Sequence, residues 1–219
     1  MTSVHDKETG KEKAFRYIKD SVVARDLPPG DAVGARCLAK EITAAPGLVR
    51  EAVDTLIQED WTMRRPEGQM RVEPVLKQDL IEITQLRHAL EPMIVESIMP
   101  RLSRKQFVYL DALLSQHERL LTFPNAAEEF QGLDRSFHLY LASLTENRRL
   151  ISIMQAITDV HQRIGVNAMY TKTRCVPCLA EHAAIVESLR RADCAAAKEA
   201  VTSHIDRAYD ALVFHLHEC

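Results

Sequence analysis

The sequence predicts a mainly α chain in two parts. Three short helices and a small β-hairpin come first, and an all-α bundle of about six helices follows. Two observations carry this. Apolar residues recur at helical spacing in nearly every segment. The period changes to alternation only around Gly68, in W-T-M-R-R and M-R-V-E-P on either side of P66-E-G68-Q. At 219 residues and 46 % hydrophobic, the chain can build two small domains or one large one.

Residues 10–26 read as a helix with Ala14, Tyr17, Ile18 and Val22 on one face. L27-P-P-G30 stops it, because proline cannot continue a helix. A short helix follows around Ala35–Ile42. A third runs from Pro46, a residue suited to a first helical turn, to Asp60, with Val49, Val53, Leu56 and Ile57 as its stripe. With the hairpin at 61–74, this is the outline of a winged helix-turn-helix.

From Lys77 onward every segment reads helical. Asp79 is placed as the N-cap of a helix to about Pro100, with Leu80, Ile83, Leu86 or Arg87, Leu90 and Ile94 inward. Ser103 caps the next helix, to Leu121. Asn125 starts a third, ending near Thr145, and Asn147 a fourth, to about Val166. A loop through NAMYTKTRCV precedes a fifth at 177–191. Asp193 starts the last, to about His217.

Bulk composition narrows the class. Seven Gly and nine Pro are too few for a disordered or fibrous chain. No apolar run approaches the ~18 residues of a membrane span, and the polar N-terminus lacks a signal-peptide core. A cytoplasmic protein with no membrane partner is expected. Five scattered cysteines make no disulfide framework, and C175-x-x-C178 lacks the second ligand pair of a structural zinc site. Net charge is −3, and residues 1–75 hold 12 Lys/Arg against 13 Asp/Glu. A DNA-reading head must therefore place its cations locally.

Four residues have the types and number of a transition-metal site: Asp134, His138, His182 and His204. Asp134 and His138 are four apart, so one helical face presents both. His182 and His204 lie about 10 and 11 residues either side of the break at Ala192–Asp193. In an antiparallel hairpin they meet at one level. Three histidines and a carboxylate suit zinc first, with nickel or manganese as alternatives. Arg87 falls on or beside an apolar stripe, and a buried arginine needs an anionic partner. An internal pair with Glu91 or Glu96 is one choice. His161 and Tyr170 are weaker candidates for the same surroundings, and Cys178, four residues before His182, also comes near.

The ordered set L27-P-P-G30, A35-R36-C-L38-A39, V49-R50-E51-A52, the wing at Gly68, L86-R87-H-A-L90-E91, D134-x3-H138, E181-H182-A-A-I185 and H204 resembles the GntR family of bacterial transcription regulators, in the subgroup with an FCD ligand-binding domain. The resemblance spans about residues 10–215. It implies a winged helix-turn-helix DNA-binding domain over 8–75 and an FCD-type helical ligand- and metal-binding domain over 76–219. It gives Arg36 a DNA-contact role and puts Arg87 in the ligand chamber, where it would clamp a carboxylate also held by the metal. Arg50, four residues into the recognition helix, can reach a base edge, and Arg64, Arg65 and Arg71 flank the wing tip. One stretch departs. The family's usual G-V-S-R-T-P-like run is T43-A-A-P-G-L48, so its serine and arginine are Ala45 and Pro46. Trp61 also stands where a small aliphatic pair is commoner.

The expected function is a ligand-responsive regulator, a repressor in the family's commoner mode. A small organic acid would be its effector, a palindromic double-stranded operator its target, and a homodimer its working form. No catalytic residue is expected. The alternative is a metal-dependent hydrolase or oxygenase on a helical bundle, which an open zinc position would permit. A helical interaction module without specific DNA binding is a third reading, motivated by Pro46 and Gly47.

Overall fold

The structure is a computed structural model that describes residues 9–23, 26–59, 61–65, 69–74, 76–123, 126–163 and 172–218. It divides into two compact units, Met1–Val75 and Leu76–Cys219.

The first unit orders α1 (Gly10–Val23), β1 (Ala32–Val33), α2 (Ala35–Glu41), α3 (Pro46–Gln58), β2 (Thr62–Arg64) and β3 (Met70–Val72). The helices pack their apolar stripes together, with Ile18, Leu38, Val49 and Leu56 fully buried. Each such side chain contributes roughly 1.5–3 kcal/mol on burial. Trp61, which the family resemblance left as an oddity, closes this core at 2 % exposure, with the Lys19 ammonium 4.4 Å from its ring. Strand order is β1-β3-β2, all antiparallel, with Met63 and Ala32 both opposite Arg71. The sequence reading missed β1, since two residues carry no periodicity. Gly30, at φ 92°, turns the chain into it and donates its N–H to the Val72 carbonyl. The hairpin tip with Gly68 lies outside the described residues.

The second unit is helical throughout: α4 (Lys77–Ile98), a 3-10 turn (Met99–Arg101), α5 (Arg104–Leu120), α6 (Ala127–Ser143), α7 (Arg148–Arg163), α8 (Lys172–Arg190) and α9 (Cys194–Glu218). α9 packs on α4 and α8, α6 on α5 and α7, and α4 also reaches α6 and α7. Leu80, Ile83, Arg87 and Ile94 of α4 face inward, while Leu86 is exposed. This settles the choice between Leu86 and Arg87.

Several helix ends have visible causes. The Asn147 side chain accepts from the Arg149 and Leu150 N–H groups, and Asp193 from Ala196, as capping residues do. Ser103 takes part in a capping box, its N–H donating to Gln106 Oε1 at 3.0 Å. Asp79 differs from expectation. It is the third residue of α4, not its N-cap, and its carboxylate accepts from the Leu76 N–H at 2.6 Å. Leu76 has no side-chain acceptor, so the helix begins three residues earlier than expected, on a one-sided cap. α8 also starts early, with Pro177 inside it. A proline this close to a helix start removes one intrahelical bond, and the added turn buries Cys175. The Asn125 start and Tyr170 lie outside the described residues.

Candidate functional site

α6 presents Asp134 and His138 one turn apart, α8 presents His182, and α9 presents His204. One ligand atom from each lies within 4.8 Å of all the others, and all four side chains are buried. The α8–α9 hairpin does what its symmetric spacing predicts, with the His182 and His204 ring centroids 4.7 Å apart. His182 is held in place by Phe137, stacked on it at 4.1 Å and 17°.

The inward atoms are the same on every histidine. His138 Nε2 is 3.2 Å from His204 Nε2, and Asp134 Oδ1 is 3.4 Å from His182 Nε2 and 3.9 Å from His138 Nε2. Two nitrogens bound to one zinc at about 2.0–2.1 Å stand roughly 2.9–3.4 Å apart for ligand angles of about 90–110°. The 3.2 and 3.4 Å separations fit a small divalent cation, and the 3.9 Å separation is wider, so the cluster would contract on binding one.

The outward nitrogens explain the tautomers. His204 Nδ1 is 2.8 Å from Glu181 Oε2. His138 Nδ1 is 2.9 Å from Glu91 Oε2. The second contact is off the ideal hydrogen-bond line, but a lone pair would not face a carboxylate at that distance. Each Nδ1 therefore carries a proton, which leaves Nε2 as the lone-pair atom of each ring when that ring is neutral. Arg87 offers one donor to His138 Nε2 at 3.4 Å, and a cation between the two Nε2 atoms, 3.2 Å apart, would satisfy both. Glu181 is itself gripped by both Arg174 guanidinium nitrogens at 3.1 and 2.8 Å, and Glu91 by Arg87 Nε at 2.5 Å. Arg87 thus takes Glu91 as its partner, while Glu96 pairs with Lys198.

The electrostatics agree. Burial pushes His182 well below the ordinary histidine range, with His204 adding to it, and burial also lowers His204. Both are neutral, as ligands must be. Burial alone would raise the Asp134 carboxyl, but the positive charge that the surrounding imidazoles take on as pH falls outweighs it and holds the carboxyl low. Burial would raise Glu91 too, and Arg87 and His138 override it.

Beside the cluster a narrow cleft of about 10 Å³, room for about one water, is lined by Arg87, Asp134, His138, Thr158 and His161 among others. Burial, reinforced by Arg87, pulls His161 down to about 3, so it lines the cleft as a neutral ring.

The FCD domain matches residues 82–207, more than half of the chain and all of this site. The chain belongs to the FCD family of GntR-type transcriptional regulators. It is similar to an uncharacterized HTH-type transcriptional regulator, YdhC, of Bacillus subtilis (strain 168), at 22 % identity over 192 residues, covering 88 % of this chain and 86 % of that one. Among solved structures it is similar to E. coli McbR/YncC, with TM-score 0.82, 17 % identity, and 94 % and 97 % of the two chains covered. A putative GntR regulator from Rhodococcus sp. RHA1 gives TM-score 0.77 at 16 % identity, covering 93 % and 97 %.

In this FCD regulator the candidate DNA contacts occupy different settings. Arg36 on α2 and Arg50 on α3 are exposed. Arg50 Nε donates to the Pro46 carbonyl one turn back, at 3.3 Å. Arg64 is exposed on β2 and ion-paired with Asp54 of α3. Arg65 is partly buried where the hairpin leaves β2. Ala45 is the N-cap of α3 and supplies no side-chain cap, the structural consequence of the departure at 43–48.

Sequence reasoning missed the roles of Glu181 and Arg174. The signal was there in part, because Glu181 adjoins a ligand histidine and Arg174 is seven residues, two turns, before it. Only the fold shows that Glu181 turns to His204, not His182.

Proposed function

We propose that this FCD regulator senses a small carboxylate through a metal-containing chamber and transmits the result to operator DNA as a homodimer, acting as a repressor. The observation that carries the reading is the convergence of four buried potential ligands, with His138 Nε2 and His204 Nε2 3.2 Å apart beside Asp134 Oδ1. Asp134, His138, His182 and His204 would hold the ion, zinc first and nickel or manganese next. When bound, the ion would supply Lewis acidity and an open coordination position.

Arg87 does the remaining work. Its Nε is committed to Glu91, but it also lines the cleft and brings one guanidinium nitrogen to 3.4 Å from His138 Nε2. A carboxylate there would meet both a cation and a charge-assisted donor. Arg87 belongs to α4, the helix that follows the N-terminal unit in sequence. An effector changes DNA affinity only by the difference in its affinity for the two arrangements of the dimer. Arg36 and Arg50 would contact the operator, with Arg64, Arg65 and the Gly68 wing tip as flanking contacts.

The hydrolase alternative lacks a carboxylate to act as base among the described neighbours of the ligands. Glu91 and Glu181 are both tied to ligand histidines and arginines. The test is a mobility-shift assay of the metal-loaded protein on DNA from upstream of its own gene, with acetate, succinate and citrate as probes. The reading expects a specific complex weakened by at least one acid. Steady hydrolytic turnover abolished by His182→Ala would overturn it.

A further inference from the structure

The four-residue cluster has a fifth neighbour. Cys178 lies one helical turn before His182 on α8 and is 3 % exposed. Its Sγ is 3.5 Å from Asp134 Oδ1 and 3.9 Å from His182 Nε2. A sulfur and a nitrogen on one zinc, at about 2.3 and 2.0–2.1 Å, stand roughly 3.1–3.6 Å apart at angles of about 90–110°. The sulfur therefore stands at, or a few tenths of an ångström beyond, the spacing of a donor that shares an ion with Asp134 and His182. Cys175, one turn earlier, makes no such approach among the described contacts.

Charge supplies an independent reason. Glu91 is neutralised by Arg87, and Glu181 by Arg174. The three histidines are neutral ligands, so a divalent ion with Asp134 alone would leave one uncompensated positive charge in a buried site. An uncompensated buried charge is strongly unfavourable. In the effector-free state one more anionic donor makes the centre neutral, and Cys178 is placed to be it.

We propose that Cys178 is a thiolate ligand of this centre, joining Asp134, His138, His182 and His204. The inference rests on the metal-centre reading above. On binding, the metal–sulfur bond forms, the S–H bond breaks, and the proton leaves to solvent with no change of oxidation state. A soft sulfur among nitrogen and oxygen donors biases the site toward zinc and cobalt and away from manganese.

X-ray absorption at the zinc edge of the full-length protein, loaded with one equivalent of zinc, tests this without a variant. The expected result is a sulfur shell near ~2.3 Å beside the nitrogen and oxygen shell. The cobalt(II) protein should show a near-ultraviolet thiolate-to-metal charge-transfer band. Cys178→Ser should remove both signals and keep the visible cobalt bands, while Cys175→Ser should keep all of them. Zinc bound by nitrogen and oxygen alone would overturn the Cys178 assignment and leave the four-ligand site standing. Failure to take up zinc or cobalt at all would overturn both.

Discussion

Glu91→Gln is the sharpest perturbation of the buried network, because Glu91 serves two donors at once. Its Oε1 accepts from Arg87 Nε at 2.5 Å, and its Oε2 lies 2.9 Å from His138 Nδ1. Arg87 is 5 % exposed and Glu91 3 %. Glutamine keeps the volume and can accept from Arg87, but its NH2 then meets the His138 N–H, donor against donor. The guanidinium also loses its counter-charge. Removing one partner of a buried pair costs about 3–5 kcal/mol. At roughly 2–4 °C per kcal/mol for a chain of this length, the metal-free unfolding midpoint should fall by roughly 6–20 °C. Loss of the group that orients a ligand histidine should also weaken zinc binding about 10–100-fold. Differential scanning calorimetry of the metal-free protein gives the first number, and a zinc competition titration against a chromophoric chelator gives the second. A midpoint within about 2 °C of wild type, together with unchanged zinc affinity, would refute the argument that Glu91 holds Arg87 and His138 in place.

Other perturbations should separate the parts of the account. Arg50→Ala is expected to abolish specific operator binding while leaving the far-ultraviolet circular dichroism unchanged, and full operator affinity would contradict it. Arg64→Ala should weaken binding less, because Arg64 is paired with Asp54, and should lower the salt slope by about one. The metal-free protein should lose stability as pH falls from about 7 to 5. His117, His161, His182 and His204 are all pushed down by burial, so below about 6.5 the unfolded chain gains protons that the fold refuses. His161, held down to about 3, contributes about 1.4 kcal/mol per pH unit in that window, and the other three act in the same direction. Urea midpoints that do not change between pH 7 and 5 would contradict the neutral-histidine assignment.

Much of this molecule is legible in its sequence, for reasons that are local. Asp134 and His138 share a face because four residues nearly complete a helical turn. His182 and His204 meet because their distances from the Ala192–Asp193 break match and Asp193 restarts the helix. The parts that escaped are tertiary or too short to carry a period. β1 is two residues long. The one-sided cap at Leu76–Asp79 looks like an N-cap from the side-chain type alone. Glu181 is adjacent to His182 in sequence, yet helical rotation aims it at His204. The stripe left Leu86 or Arg87 facing inward, whereas the choice of Glu91 over Glu96 follows from helix spacing, since Glu91 is one turn on.

A cation held by the three Nε2 atoms and Asp134 is the feature on which the proposed function stands. Elemental analysis of the protein purified without chelators tests it most directly. The account predicts close to one divalent ion per chain, zinc ahead of nickel and manganese, lost in His182→Ala. A protein that carries no metal as purified, and takes up none on addition of zinc, nickel or manganese, would contradict it.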